Sequence, residues 1–390
     1  MQMKKNWRLG AIAAAAAVAT IFTGSSAAFA DPSGAPTYRA LSGVGSDTTQ
    51  DLNNGLSSAM FSGTTRVAGS YNATNPTTGA IHDLINTRTG GPSFERPNGS
   101  SEGVNALKAA KTGTAWRGVT LSDADLQFAR SSSAASQWVD GGTYSYIPLA
   151  LDAVSFAVHS SNTTIPHDLT QAQLTAIYSA DNGANVTING TSYKVGTEGT
   201  AGVQITPFIP QLGSGTRSFW QSQLAPTGFG SAVADAYTGG GVQEHDGSVL
   251  AALPTTAIVP FSIAQWVAQN NKTTIESQYA GVSITDRRHG AILGTIGGIA
   301  PTTGTAPVAL NTMFPIARPV FTVVKNAELA TNAQLAAAFS GASAQAYTTN
   351  RPGPSTALVI TDFGFGSLAG GVSIDGVTYT AGDTASFRAN

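Results

Sequence analysis

Short β-rich runs alternate with helical stretches along most of this chain, and the junctions between them consist of glycine, serine and threonine. The first β-rich run covers residues 37–41 and leads into a turn at 43–47. A helix is expected over residues 49–60, where apolar side chains recur at a spacing of four. Such alternation is typical of an α/β fold.

Two later helices have recognisable start signals. Thr170 followed by Gln173 matches the capping box, in which the two residues satisfy each other's backbone N–H groups. Ser262 followed by Gln265 repeats the same spacing. We therefore expect helices to begin directly after Thr170 and after Ser262.

Two apolar segments are predicted to be strands that cross between lobes. Residues 146–159 contain the alternating set Val154, Phe156 and Val158, and a similar alternation follows in residues 314–324. The length of 390 residues already favours two domains. If both strands cross, lobe 1 is discontinuous and comprises residues 31–151 and 316–390, whereas lobe 2 comprises 152–315. This arrangement suits a hinged protein with its ligand in the cleft.

The first thirty residues are predicted to be a secretion signal. Lys4, Lys5 and Arg8 precede an alanine-rich apolar stretch over residues 9–24, and a small-x-small cleavage motif ends at Ala30. We expect cleavage there and a secreted protein that works in the cell wall or periplasm. The chain has no cysteine, so it cannot be a lipoprotein attached through an N-terminal cysteine, and it has no thiol chemistry.

Composition and charge exclude several functional classes. Charged residues make up only 11% of the chain while hydrophobic residues make up 42%, which argues against disorder. The net charge of −2 provides no basic field, so a nucleic-acid partner is not expected. We expect a monomer that requires no cofactor and no metal.

Three turns of small residues each stand at the start of a predicted helix. They are Gly45-Ser46-Asp47-Thr48, Gly99-Ser100-Ser101 and Gly213-Ser214-Gly215-Thr216-Arg217. Each leaves unpaired N–H groups at the positive end of a helix dipole and adds hydroxyl donors. If the three converged, they would hold a tetrahedral oxyanion, with Arg217 or Arg130 adding positive charge. Any one of them alone is also explained by ordinary N-capping.

Residues 213–220, Gly-Ser-Gly-Thr-Arg-Ser-Phe-Trp, resemble the phosphate-contacting loop of the phosphate-binding proteins that serve ABC importers. Residues 43–47, 99–104 and 128–132 resemble other loops of that family, and 152–156 and 315–319 resemble its hinge strands. The resemblance implies a two-lobed α/β fold of the type II periplasmic-binding-protein class, with two hinge strands. It also implies a small anionic ligand, with phosphate expected first, and an ABC importer complex as a partner.

Carried over position by position, the resemblance assigns ligand contacts to the following residues: Ser46, Asp47, Thr48, Ser100, Arg130, Ser132, Ser214, Gly215, Thr216 and Arg217. Two positions depart from the family. Its aspartate that accepts the proton of hydrogen phosphate falls on Ser132, and its usual arginine falls near Pro210. Asp47 is either a replacement acceptor or a helix N-cap. Arg130 is either a ligand contact or part of a salt bridge within lobe 1.

Two other functions remain open. One is a secreted or wall-associated binding or structural protein that keeps the scaffold without a transport role. The other is a secreted serine hydrolase, which is disfavoured because Gly213-Ser214-Gly215 lacks the residue spacing of a G-x-S-x-G elbow and because Ser, Asp and His residues scattered along the chain carry little information. Glu244-His245-Asp246 is expected to be a turn, since adjacent side chains cannot easily face one ion, and no catalytic residue is assigned.

Overall fold

The structure is a computed structural model that describes residues 31–32, 37–196, 203–236 and 241–390, with only the backbone described for 234–236. The predicted secretion signal at residues 1–30 lies outside the described residues. No helix within the described ranges is long and apolar enough to cross a membrane.

The strands of the described residues are short except for two. They are β1 Leu41–Gly45, β2 Phe61–Ser62, β3 Thr65–Arg66, β4 Ala68–Ser70, β5 Leu84–Ile85, β6 Phe94–Glu95, β7 Ala115–Trp116, β8 Val119–Thr120, β9 Phe128–Ser131, β10 Tyr144–His159, β11 Asp168–Leu169, β12 Asn185–Ile188, β13 Thr191–Val195, β14 Val203–Pro207, β15 Ala257–Ser262, β16 Ala291–Leu293, β17 Thr295–Ile296, β18 Thr302–Thr303, β19 Ala309–Leu310, β20 Ala317–Lys325, β21 Val372–Ile374, β22 Val377–Tyr379 and β23 Arg388–Ala389.

The helices in the same part of the chain are α1 Gln50–Ala59, α2 Ser100–Thr112, α3 Gln171–Tyr178, α4 Gly215–Leu224, α5 Ser231–Ala236, α6 Ser248–Ala252, α7 Ile263–Asn270, α8 Lys272–Gln278, α9 Glu328–Thr331, α10 Ala333–Phe339, α11 Gln345–Thr348 and α12 Val359–Asp362.

One long sheet forms the frame of the molecule, with β10 and β20 at its centre. The strand order is β12-β13-β14-β15-β10-β20-β9-β1-β4, and β16 and β23 also pair with β10. The first part of β10 pairs antiparallel with β20, and from Val154 onward it pairs with β15. β10 therefore belongs to both halves of the sheet. Almost all of its residues are buried, because the sheet is covered on both faces.

Local signals placed several elements correctly. Helix α1 lies within the predicted range, and α2 begins at Ser100, directly after Gly99. The capping box at Thr170 is complete, since each of its two side chains accepts a hydrogen bond from the other residue's backbone N–H.

One prediction of local structure was wrong, and a second was only partly right: α7 begins directly after Ser262 as expected, but its capping box is incomplete. The strand expected at residues 37–41 begins only at Leu41 and continues to Gly45, because the later residues pair in parallel with both β4 and β9. At Ser262 only half of the capping box forms. The Ser262 hydroxyl accepts from the Gln265 backbone N–H, but the Gln265 amide instead donates to the carbonyl of Asp47 in the first turn.

A buried ion pair joins the two long strands. Asp152 on β10 lies opposite Arg318 on β20, and the Arg318 Nη2 and Nε atoms lie 2.8 and 3.0 Å from Asp152 Oδ2. The other carboxylate oxygen of Asp152 accepts hydrogen bonds from the Ser262 hydroxyl and the Ala264 backbone N–H, at the start of α7. One carboxylate thus connects β20 with the half of the sheet that contains β15.

We expect Asp152→Ala to lower the free energy of unfolding by about 3–5 kcal/mol, because the change leaves Arg318 as a buried charge without its partner. Urea unfolding followed by tryptophan fluorescence measures this loss. Asp140→Ala is the matched control, since Asp140 is exposed in a turn, and its effect should stay within about 0.5 kcal/mol. Equal midpoints for Asp152→Ala and the wild type would contradict the expectation.

Candidate functional site

Five buried hydroxyl groups meet at one point, four from three separate turns and one from Ser132, the residue that follows strand β9. The Ser132 Oγ atom lies 3.1 Å from Ser46 Oγ and 3.2 Å from both Thr48 Oγ1 and Ser100 Oγ. Thr216 Oγ1 lies 3.2 Å from Thr48 Oγ1. Each of the five side chains is at most 1% exposed. We call these residues, Ser46, Thr48, Ser100, Ser132 and Thr216, the hydroxyl cluster.

The sheet and two glycines bring these turns together. β1 and β9 run parallel with Gly45 opposite Arg130, so the turns that follow them leave the sheet at the same edge. Gly99 has a φ of +117°, and a Cβ there would lie 2.7 Å from the carbonyl oxygen of Gly213. A Cβ at Gly215 would lie 2.3 Å from Ser132 Oγ. The approach of the third turn to the cluster therefore depends on glycine.

The cation that reaches the hydroxyl cluster is Arg318, which the sequence analysis placed in a hinge strand and not in the site. Its Nη2 donates to Thr216 Oγ1 at 2.9 Å, and its Nη1 donates to the Ser132 carbonyl at 3.0 Å. The side chain is almost fully buried. A charged residue within a predicted apolar strand, with an acidic residue in the other such strand, was the available signal.

The two arginines proposed from the sequence lie elsewhere. Arg130 is buried, and its guanidinium donates to the carbonyls of Gly43, Gly45 and Ser46 and to the Ser70 hydroxyl. Burial lowers the pKa of Arg130 to about 10. Its contacts are thus with the first turn and with Ser70, and it forms no salt bridge within the described residues.

Arg217 also lies outside the cluster, although it belongs to the third turn. Its Nη1 donates to the Pro210 carbonyl at 3.0 Å, and its guanidinium lies 5.9 Å from the centre of the Phe229 ring. The side chain points away because Ser214 caps helix α4 by accepting from the Arg217 backbone N–H, which fixes this residue in the first helical turn.

Asp47 is paired with an arginine and does not cap a helix. Its two carboxylate oxygens lie 3.1 and 3.0 Å from Arg287 Nη2. The N-cap position of α1 is Thr49, and no side chain makes a capping bond there. Burial raises the pKa of Asp47, and the neighbouring charge of Arg287 opposes that rise.

Glu244 and His245 form part of the site, although the sequence analysis treated them only as a turn. The backbone does turn there, with a φ of +56° at His245, but both side chains are buried. Glu244 Oε1 accepts from the Ser214 hydroxyl and from the Thr216 backbone N–H. Glu244 Oε2 has no hydrogen-bond partner among the described residues. Burial and the charge of Asp47 raise the pKa of Glu244.

This arrangement changes the expected role of Ser214. Its hydroxyl donates its one proton to Glu244 and accepts from the Arg217 backbone N–H, so it has no further proton to donate to an oxyanion. The predicted site residues thus fall into two groups. Ser46, Thr48, Ser100, Ser132, Gly215 and Thr216 lie at the cluster, whereas Asp47, Arg130, Ser214 and Arg217 are held by other groups.

The hydrogen bonds of His245 show which of its ring nitrogens carries the proton. Its Nδ1 accepts from the Ser262 backbone N–H at 3.3 Å, so the proton of the neutral ring is on Nε2, which lies 3.0 Å from Thr48 Oγ1. Burial lowers the pKa of His245 well below its usual range, and the nearby arginines 287 and 318 act in the same direction. His245 is therefore a neutral donor to the cluster.

Three buried residues also place potential metal-ligand atoms within 4.8 Å of one another, namely Asp47, Glu244 and His245. A metal would have to compete with Arg287 for Asp47, and it would have to displace the proton from His245 Nε2. The adjacent residues 244 and 245 can thus face one point, contrary to the expectation from sequence. In this structure the charge facing Asp47 is supplied by Arg287.

Comparisons with known proteins place the chain in a family. A family model described as the PBP superfamily domain matches residues 32–341. The chain therefore belongs to the PBP superfamily, and the predicted two-lobed α/β fold of periplasmic binding proteins is confirmed. No curated protein sequence matches the chain at a significant level.

Several solved structures are similar in fold at low sequence identity. An ABC-type phosphate transport receptor from Vibrio cholerae is 15% identical, with 76% of this chain and 92% of that chain covered and a TM-score of 0.40. A phosphate-binding protein from Stenotrophomonas maltophilia is 13% identical, with 89% and 91% covered and a TM-score of 0.37. PstS from Borrelia burgdorferi is 15% identical, with 76% and 91% covered and a TM-score of 0.38.

A second buried carboxyl group, Asp51 in the first turn of α1, lies near the Asp47–Arg287 pair. Burial raises the pKa of Asp51 to about 7, and Asp47 adds to the rise, while Arg287, Arg130 and a hydrogen bond from Gln265 oppose it. The folded protein therefore binds a proton at Asp51 more tightly than the unfolded chain, whose value is near 3.8. This contribution to stability is complete below about pH 4 and is lost as the pH rises to about 7.

We expect Asp51→Asn to abolish this fall in the free energy of unfolding, which is on the order of 4 kcal/mol between about pH 4 and pH 7. The difference in unfolding free energy between pH 4.5 and 7.5, from urea titrations, should be smaller in the variant than in the wild type. Asp123→Asn, at an exposed position, should keep the wild-type profile. Parallel profiles for wild type and Asp51→Asn would show that Asp51 titrates alike in the folded and unfolded chains.

Proposed function

We propose that this protein is a secreted solute-binding protein that captures phosphate, or a similar tetrahedral oxyanion, between two lobes. The lobes comprise residues 31–151 with 316–390, and 152–315. The ligand would be delivered to an ABC importer by a monomer that needs neither a cofactor nor catalytic residues. The single observation that supports this most strongly is the hydroxyl cluster with Arg318 directed into it.

Within the described residues, no carboxylate accepts a hydrogen bond from a hydroxyl of the cluster. Each hydroxyl contacts another hydroxyl, and their bonds converge on Ser132 Oγ, so these protons can turn to an oxyanion without leaving a buried acceptor unpaired. The Nε2–H of His245 and the Nη2 of Arg318 add donors on the side of Thr48 and Thr216. Hydrogen bonds to a charged acceptor are stronger than those between neutral groups, which favours the exchange.

Contacts from both proposed lobes meet at this point. Thr48 belongs to lobe 1 and contacts Thr216 and His245 of lobe 2. The Asp47–Arg287 pair links the same two lobes. A ligand that touches residues of both lobes binds the closed form better than an open one, so binding and closure would be coupled.

The hydrolase alternative is not supported by the geometry around His245. A histidine that activates a hydroxyl nucleophile must accept its proton. The Nε2 atom that faces Thr48 carries a proton itself, since Nδ1 accepts from the Ser262 backbone. We therefore favour ligand binding over covalent chemistry at this site.

Glu244 is our candidate for the group that distinguishes hydrogen phosphate from sulfate. Its Oε2 is buried and unpartnered among the described residues, and its Oε1 is held at the Thr216 backbone beside the cluster. A carboxylate there can accept the proton of hydrogen phosphate, whereas sulfate, which carries the same charge, has no proton to donate and is repelled. Glu244 would thus replace the aspartate that the related family has at the position of Ser132.

The cellular role follows from the proposed secretion signal at residues 1–30. Without a cysteine the mature chain could not carry an N-terminal lipid, so it would diffuse in a periplasm or remain at the cell wall. A binding protein without a transport role is the remaining alternative. Co-purification of the mature protein with an importer complex favours transport, and its absence under phosphate limitation favours the alternative.

We expect Ser100→Ala to weaken phosphate binding about 5- to 15-fold, since a hydrogen bond to a charged group, worth about 1.5–3 kcal/mol, replaces a neutral one worth about 0.5–1.5 kcal/mol. Isothermal titration with inorganic phosphate measures the change. Ser101→Ala is the matched control, because Ser101 is exposed on the same helix and only its backbone N–H is engaged, with Gly213. Equal affinities for both variants would remove Ser100 from the site, and absence of phosphate binding by the wild type would reject the proposed function.

We expect Glu244→Gln to raise the affinity for sulfate relative to phosphate by at least about tenfold, because the neutral amide no longer repels an unprotonated dianion. Titrations with both anions at pH 8 give the ratio. Glu95→Gln changes a half-exposed carboxylate elsewhere in lobe 1 and should leave the ratio unchanged. A wild-type ratio in Glu244→Gln would assign the discrimination to another group.

A further inference from the structure

A cavity of about 210 Å³ adjoins the hydroxyl cluster. Ser132 and Arg318 line its inner side and are also members of, or donors to, the cluster. The rest of its lining is mainly apolar and includes Phe219, Pro319, Val377 and Tyr379. A group attached to an oxyanion at the cluster would therefore enter an apolar space.

The C-terminal hairpin β21–β22 builds the outer wall of this cavity. Val377 and Tyr379 belong to it, and both lie beyond residue 341, where the match to the family model ends. The hairpin is anchored to the sheet because the Tyr379 ring stacks on Phe387 at 4.7 Å and contacts the edge of Phe321 at 6.2 Å. This wall therefore lies outside the residues that the family model matches.

Arg318 contacts both the hydroxyl cluster and the apolar lining of the cavity. The guanidinium of Arg318 lies 5.3 Å from the centre of the Phe219 ring while one of its nitrogens bonds Thr216. The lining includes one carboxylate, Asp375, which lies at the exposed turn of the hairpin. An apolar cavity of about 150 Å³ is large enough for a benzene ring, so the space beside Phe219 is sufficient for a small aromatic or aliphatic group.

We propose that the ligand is a singly protonated phosphate monoester whose small apolar or aromatic substituent fills this cavity, while its phosphoryl oxygens bind the hydroxyl cluster and Arg318. This inference rests on the proposed function and makes the substrate class more specific. Bare phosphate would use only the cluster. Burial of about 60 Å² of apolar surface corresponds to about a tenfold gain in affinity.

Isothermal titration of the mature protein with inorganic phosphate, methyl phosphate and phenyl phosphate at about pH 5 tests the proposal, because each ester keeps one proton below its second pKa of about 6. Phenyl phosphate should bind about tenfold more tightly than inorganic phosphate, and methyl phosphate should show little gain. Val377→Glu should reduce the ratio of phenyl phosphate to phosphate affinity to near one, because it places a charge in the apolar wall. Leu253→Glu is the matched control, since Leu253 is 41% exposed against 43% for Val377 and lies outside the cavity.

The outcomes separate this inference from the proposed function. Binding of inorganic phosphate without a gain for phenyl phosphate would overturn the inference and leave the proposed function standing. A gain that Val377→Glu does not alter would also overturn it, since the substituent would then lie elsewhere. Binding of none of the three anions would reject the proposed function and the inference together.

Discussion

The ion pair between Asp152 and Arg318 controls both the frame of the molecule and the chemistry of its site. Two buried charges are tolerated only where further hydrogen bonds satisfy the remaining atoms. Here Asp152 receives the Ser262 hydroxyl and the Ala264 N–H, and Arg318 donates to Thr216 and to the Ser132 carbonyl. The arginine thus has a fixed position at the junction of the two long strands, and the site depends on their register.

A second constraint is the number of carboxyl groups around an anion site. Asp47, Asp51 and Glu244 are all buried, and burial raises the pKa of each. Arg287 compensates Asp47 directly. An oxyanion that enters beside the other two carboxyls is repelled unless a proton is shared or bound. If the proposed function is right, anion binding at this position is linked to protonation, and a proton-bearing anion would bind better than a fully ionised one.

The turns of the site could be recognised from the sequence because each is a local pattern, in which small residues follow a strand and begin a helix. Ser46, Ser100 and Thr216 could be found in this way. Arg318 could not, since its place opposite Asp152 depends on the pairing of two strands that are distant in sequence. Glu244 and His245 were missed because the left-handed backbone at His245 and the burial of both side chains come from tertiary packing. Arg217 follows the family's loop, but helix capping directs it elsewhere.

The hydrogen bonds among the five hydroxyls also determine how much binding free energy a ligand gains from each of them. In the cluster each hydroxyl already has a neutral partner, so an anion does not fill empty donors but replaces hydroxyl–hydroxyl bonds by charge-assisted ones. The net gain per hydroxyl is the difference between about 1.5–3 and about 0.5–1.5 kcal/mol. Several such differences, together with Arg318, are needed before binding outweighs the cost of ordering the ligand. A cluster that is complete without its ligand therefore favours an anion able to engage all of its hydroxyls at once, which a tetrahedral group can do and a planar carboxylate cannot.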